Sequence, residues 1–98
     1  MTTKQFLDYI EKTFQHCHTI LIDKNADYAE ENSPFKNFKI SETVGVPVER
    51  AILVRMTDKM SRISNLLDKE ESVKGESIND SLDDLINYAG ILKAYINQ

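Results

Sequence analysis

Acidic side chains recur every four residues near the carboxyl end of the chain, at Glu76, Asp80 and Asp84. In a helix this spacing aligns the side chains along one ridge, where like charges repel by about 0.2–0.5 kcal/mol per pair. No Lys or Arg falls between Glu76 and Gly90 to relieve that repulsion. One interpretation of the ridge is a site for a cation or a base, and magnesium (Mg²⁺) fits because it prefers oxygen ligands. The other, which spacing alone favours, is a solvated acidic face without a ligand.

Basic side chains gather on the helix predicted before this ridge. Arg55, Lys59 and Arg62 fall within roughly 60° of arc at 3.6 residues per turn. A short connection makes the two helices neighbours. One interpretation is a set of interhelical ion pairs, worth about 0–1 kcal/mol each when exposed. The other is a phosphate site, because arginine and lysine neutralise phosphate oxygens directly.

Aromatic residues occur within a polar stretch between the first two predicted helices. Tyr28, Phe35 and Phe38 lie there, and positive charge in the same region is supplied by Lys24, Lys36 and Lys39. The aromatic side chains either pin a loop to the helices or form the wall of a pocket for a flat ring. In the second case Lys24 would be a further phosphate-binding residue.

The spacing of apolar residues predicts three main helices and no strand. We expect one domain over residues 1–98, an all-α antiparallel bundle with an aromatic loop at 24–46. The main helices are predicted at about 3–23, 47–68 and 76–97.

Capping and breaking residues support these boundaries. Thr2 and Gln5 have the spacing of a capping box before the first helix. Pro34 disfavours helix at the residue before it, and Pro47 suits the first turn of the second long helix. Gly45 is expected to end a single helical turn that begins near Ser41.

The last helix carries a second apolar surface, formed by Tyr88, Ile91 and Tyr95. Two apolar faces on one helix indicate burial on both sides, either inside the bundle or against another copy of the chain. We therefore expect a homo-oligomer, a dimer or higher, that completes the fold.

Composition narrows the choice of partners. The net charge of −4 argues against a dedicated nucleic-acid binder, whose contact surface would be basic. No apolar run approaches the roughly 18 residues that a membrane span needs, and the amino terminus lacks the apolar core of a secretory signal. The single cysteine, Cys17, excludes an internal disulfide and is expected to be a buried hydrophobic residue. A cytoplasmic location fits these features.

Four segments, taken together and in order, resemble the small phage and bacterial proteins called nucleotide modification associated domain 1. The resemblance covers about residues 20–95. It is carried by Lys24-Asn25-Ala26-Asp27-Tyr28, Pro34-Phe35-Lys36-Asn37-Phe38, Asp58-Lys59-Met60-Ser61-Arg62-Ile63, and the stretch from Glu76 to Tyr88. Through this family the chain also looks like a distant relative of the MazG-type all-α nucleoside triphosphate pyrophosphohydrolases.

The MazG-like resemblance implies a helical oligomer in which two acidic motifs bind magnesium. Glu76 and Asp80 approximate the second motif, with Asp83 and Asp84 nearby. The first motif is missing, because the second long helix carries basic residues where paired glutamates belong. Asp58 would supply one remaining acidic ligand there. This departure puts hydrolysis in doubt and leaves phosphate binding intact.

Our leading hypothesis is a phage-type small protein that binds a phosphorylated nucleotide without turnover. It would act in the cytoplasm of a bacterium or phage-infected cell, for example by sequestering a nucleotide signal of host antiviral defence. The first alternative is a magnesium-dependent nucleoside triphosphate pyrophosphohydrolase. The second is a non-catalytic protein-interaction module that docks a basic partner on its acidic ridge.

Overall fold

The computed structural model describes residues 1–28, 34–69 and 76–98, without the side chains of 26–28, 76 and 77. Every regular element within these ranges is helical, as the apolar spacing predicts. None of the described helices combines the length and apolar character needed to cross a bilayer. The elements are α1 (Thr3–Tyr28), α2 (Lys36–Lys39), a 3₁₀ helix (Ile40–Val44), α3 (Val48–Leu67) and α4 (Glu76–Ile96).

Helix α1 begins at the predicted capping box. The Thr2 N–H donates to Gln5 Oε1 at 2.9 Å, and the Gln5 N–H donates to Thr2 Oγ1 at 3.1 Å. The helix continues to Tyr28, so the predicted end at residue 23 is wrong. The extension has two causes: no glycine or proline follows before Pro34, and Lys24 gains a partner on α4.

The predicted aromatic loop at 24–46 is also partly wrong. Its first residues belong to α1, and residues 36–44 form α2 followed by the 3₁₀ helix. The predicted turn from Ser41 to Val44 is confirmed, and Gly45 ends it with a left-handed φ of 78°. The Ser41 hydroxyl donates to the Val46 carbonyl at 2.8 Å and braces this exit. The segment is therefore a compact pair of helical turns.

Helices α3 and α4 match their predicted bounds to within one residue. They make the most extensive contact in the fold, whereas α1 contacts α4 alone among the other described elements. The described core is small. Its buried apolar side chains are Cys17, Val48, Ile52 and Ile78, and Ser81 is buried with them. The antiparallel three-helix arrangement stays a prediction.

Several residues of the predicted apolar stripes are exposed within a single chain. They are Phe6 and Phe14 on α1, Leu53, Met60 and Leu67 on α3, and Leu82 and Ile96 on α4. The spacing of apolar residues predicted where each apolar stripe lies, but it did not predict what would cover the stripe.

Candidate functional site

A cleft of about 850 Å³ opens where α1, the 34–40 segment, α3 and α4 meet. Its polar lining consists of basic residues, one carboxylate and three side-chain amides, beside two aromatic rings. These residues are Lys24, Lys36, Lys39, Arg55, Asp84, Asn25, Asn37, Asn87, Phe38 and Tyr88. Leu21, Pro34, Ile40 and Ile91 complete the wall.

The charge of this lining is opposite in sign to that of the whole chain. Four basic side chains and one carboxylate line the cleft, although the chain carries a net charge of −4. A concave site of one sign concentrates field lines and attracts ligands of the opposite sign. The cleft therefore favours an anionic ligand.

Asp84 joins three helices at the edge of the cleft. Its Oδ2 lies 2.8 Å from Lys59 Nζ of α3, and its Oδ1 lies 3.4 Å from Lys24 Nζ of α1. Partial burial raises the pKa of Asp84, but the hydrogen bond from Lys59 and the charges of Lys24 and Lys59 outweigh burial and hold the pKa below its ordinary value. The carboxylate is thus ionised and already paired with two ammonium groups.

Aromatic rings form one side of the cleft. Phe38 on α2 packs edge-to-face against Tyr88 on α4, with ring centroids 6.2 Å apart and planes at 84°. Phe35 packs in the same manner against Tyr95, at 5.3 Å and 82°, but neither ring lines the cleft. The Tyr28 side chain lies outside the described residues. Of the two predicted base-contacting residues whose side chains are described, Phe38 lines the cleft and Phe35 does not.

A partly buried hydrogen-bond network joins α4 to α1 beside Asn87. The Asn87 amide donates to the Cys17 carbonyl at 3.0 Å, which ties α4 to α1. The Cys17 thiol donates to Asp83 Oδ1 at 3.5 Å, and His16 Nε2 lies 3.3 Å from Asp83 Oδ2. Burial and the Asp83 carboxylate raise the pKa of the Cys17 thiol to about 11. The thiol is therefore protonated near neutral pH, and its side chain belongs to the described core.

The predicted phosphate-binding residues separate into two groups. Lys24 and Arg55 line the cleft, and Lys59 reaches its edge through Asp84. Arg62 does not line the cleft, although it shares a helix face with the other two α3 residues.

The predicted magnesium ligands are likewise divided. Asp84 lines the cleft and Asp83 faces α1, whereas Asp58 and Asp80 are exposed and outside the lining. The Glu76 side chain lies outside the described residues. Among the side chains that the structure describes, no three His, Cys, Asp or Glu groups stand together as a metal site.

Several residues that line the cleft were not among the predicted binding residues. Tyr88 lies four residues beyond Asp84, so extending the acidic ridge by one more step would have found it. Lys36 and Lys39 flank Phe38 in a short helical turn, and both line the cleft. No regular spacing marks the three amide residues of the cleft, Asn25, Asn37 and Asn87.

The fold and cleft define a small all-helical protein with a basic, aromatic-lined pocket. Residues 24–93 match the family model described as nucleotide modification associated domain 1. Because the match spans most of the chain, the protein belongs to this family, which confirms that resemblance. Every cleft-lining residue except Leu21 falls inside the matched range. Comparisons with curated proteins and with solved structures gave no match.

Proposed function

We propose that the protein binds a phosphorylated nucleotide in this cleft and releases it unchanged. The observation that carries the proposal is the coincidence of four basic side chains with the Phe38–Tyr88 aromatic pair in one cavity of an acidic chain. A nucleotide has both matching parts, an anionic phosphate group and a flat ring. Small-molecule sites commonly have volumes of about 300–1,000 Å³, a range that includes this cleft. The family description also connects the domain with nucleotides.

The phosphate group is assigned to the basic side chains. Lys24 and Arg55 would bind phosphate oxygens, together with Lys36 and Lys39 from the short helical segment. Arginine offers a planar fork of donors that suits phosphate, and lysine acts as a point charge. Lys59 would act indirectly, because its ammonium group holds the Asp84 carboxylate in place.

The base is assigned to the aromatic wall. The edge-to-face packing fixes the orientation of Phe38 against Tyr88. Stacking of a base on an aromatic side chain contributes about 1–3 kcal/mol in single-strand binding sites. A comparable contact here would let the cleft distinguish a nucleotide from a simple polyphosphate.

We propose binding without turnover because the Asp84 carboxylate is already paired with two lysines. Both of its oxygens already face ammonium groups, which compete with a metal ion for the same electron pairs. Magnesium binding by Glu76, Asp80 and Asp84 stays a prediction. Binding without turnover would suit sequestration of a nucleotide, for example a signal of host antiviral defence.

Self-association is a further part of the proposal. The accessible surface of the chain is 7648 Å², whereas a folded monomer of 11.3 kDa is expected to expose about 5,700 Å². The radius of gyration is 15.4 Å, compared with about 13 Å for a domain of this length. Burial between copies would remove the excess surface.

Calorimetric titration tests the nucleotide proposal with ATP, tripolyphosphate and adenosine, each in magnesium and in EDTA. We expect ATP to bind most tightly, because it alone presents both chemical parts. Arg55→Gln should weaken ATP binding about tenfold or more, by analogy with the 1.5–3 kcal/mol of a charged hydrogen bond. Arg50→Gln is the matched control, since Arg50 is an exposed α3 residue outside the cleft lining.

Chromatography of the ligand after incubation distinguishes binding from turnover. Recovery of intact ATP supports the proposal. Conversion to AMP and pyrophosphate, abolished by Glu76→Gln, would replace it with the pyrophosphohydrolase. If no nucleotide binds under any condition, the nucleotide proposal is wrong and the protein-interaction module is the surviving alternative.

A further inference from the structure

The first half of α1 stands apart from the rest of the described chain. The helix has 26 residues, which corresponds to about 39 Å at 1.5 Å per residue. Its hydrogen bonds and ion pairs to α4 begin at His16 and Cys17 and end at Lys24. In the described part of the chain, no hydrogen bond or ion pair joins residues 1–15 to another helix. Among the described residues, this half of the helix therefore has no hydrogen-bonding or ion-pairing partner on another helix.

One apolar stripe runs the whole length of α1. Phe6, Ile10, Phe14, Cys17 and Leu21 follow one another at intervals of three or four residues. At the α4 contact the stripe is covered, and Cys17 is 2% exposed. Beyond that contact Phe6 is 49% exposed and Phe14 57% exposed. Ile10, between these two residues, is partly covered. The same surface is thus core at the α4 contact and largely exposed towards the amino end of the helix.

We propose that the first half of α1 is covered by the same face of a second copy of this chain, in a two-fold dimer. This dimer surface would locate the self-association that is part of the proposed function, and it does not depend on nucleotide binding. Each partner in a standard interface buries about 800 Å², and this half of α1 offers exposed apolar and aromatic side chains for such burial at Phe6, Leu7, Tyr9 and Phe14. A two-fold interface requires a self-complementary patch, and a continuous helical stripe supplies one.

The charges on this half of α1 favour a second copy over a lipid surface. Lys4 and Lys12 are matched in number by Asp8 and Glu11, so residues 1–15 carry no basic excess. An interfacial membrane helix is typically rich in Lys and Arg on its polar face. A balanced face can approach its own copy without net repulsion.

The proposed dimer surface leaves the cleft accessible. The α1 residues that line the cleft are Leu21, Lys24 and Asn25, all in the second half of the helix. Loss of the dimer should therefore leave ligand affinity unchanged, which separates a failure of this inference from a failure of the nucleotide proposal.

Light scattering coupled to size exclusion tests the inference on the full chain. The wild type is expected to elute with twice the chain mass of 11.3 kDa. Phe6→Gln combined with Phe14→Gln should halve that mass, with helical circular dichroism retained. Val44→Ser combined with Val54→Ser is the control, because both residues are exposed apolar residues outside α1 and the cleft lining. A monomeric wild type, or a dimer that survives the α1 variant, overturns the inference.

A spin-label measurement keeps the test decisive if the double variant fails to fold. Nitroxides at Tyr9→Cys should give a short distance between copies, and nitroxides at Glu42→Cys a longer one. The buried Cys17 is expected to escape labelling. The reverse order of distances, or no measurable distance at position 9, also overturns the inference.

Discussion

Lys59 and Asp84 connect α3 to α4 through a contact of 2.8 Å between Nζ and Oδ2. The second oxygen of the same carboxylate lies 3.4 Å from Lys24 on α1. The Asp84 side chain is 21% exposed, so water screens these contacts less than it would at an open surface. Asp84 is therefore a junction between three helices as well as a cleft residue.

Replacing Asp84 with Asn should destabilise the protein by roughly 1–2 kcal/mol near neutral pH. This value is the usual contribution of a hydrogen bond between charged groups, reduced because Asp84 is partly exposed to water. The folded-state pKa of Asp84 is lowered, so the stabilisation is present above its ordinary value of 3.8 and is lost as pH falls through the folded value. Urea unfolding at pH 7 and below pH 4 measures the difference. Asp80→Asn is the control, and an equal effect of both variants at pH 7 would contradict the prediction.

Replacing Phe38 with Leu should weaken ATP binding several-fold and leave tripolyphosphate binding unchanged. The variant keeps an apolar side chain but removes the ring that faces the cleft beside Tyr88. Stacking contributes about 1–3 kcal/mol per base in comparable sites. Calorimetry on both ligands makes the measurement. Phe35→Leu is the matched control because Phe35 packs on Tyr95 away from the lining. A larger loss from Phe35→Leu would restore the original base assignment to that residue.

Replacing Gly45 with Ala should destabilise the protein by about 1–2 kcal/mol, because L-residues with a side chain disfavour its left-handed φ of 78°. An added Cβ would meet nothing within 4 Å, so the cost is one of backbone conformation alone. Gly90 lies within α4 and also has open space around it. Gly90→Ala should therefore stabilise by roughly 0.5–1 kcal/mol. Thermal and urea unfolding of both variants test for these opposite signs.

The Cys17 thiol should react at least about 100-fold more slowly in the folded protein than in the unfolded chain at pH 8, because burial both lowers its thiolate fraction and restricts access of the reagent. Its pKa rises from 9.0 to about 11, chiefly through burial and then through Asp83, and the thiolate is the reactive form. Reaction with an aromatic disulfide reagent, with and without urea, gives the ratio. Asp83→Asn should raise the folded-state rate by removing the carboxylate that disfavours the thiolate. Equal rates in the folded and unfolded wild type would show that the thiol is accessible.

Residue spacing alone predicted the three long helices. It also indicated that Asp84 approaches the basic side of α3. Asp80 shares the ridge with Asp84 but lies one turn away, and spacing cannot tell which turn meets Lys59. Helix α2 could not be predicted from the sequence because a helix of four residues is too short to show a repeating pattern of apolar residues. Phe38 and Phe35 hold that region through rings more than 40 positions away in the chain.

The walls of the cleft come from four separate stretches of the chain, represented by Lys24, Phe38, Arg55 and Tyr88. No single stretch carries enough of them to form the pocket, so binding of the proposed nucleotide would be thermodynamically linked to folding. A ligand at a hundredfold excess over its Kd would add about 2.7 kcal/mol to the free energy of unfolding. Cells that contain the ligand would therefore keep more of the protein folded, and depletion of the ligand would expose the chain to proteolysis.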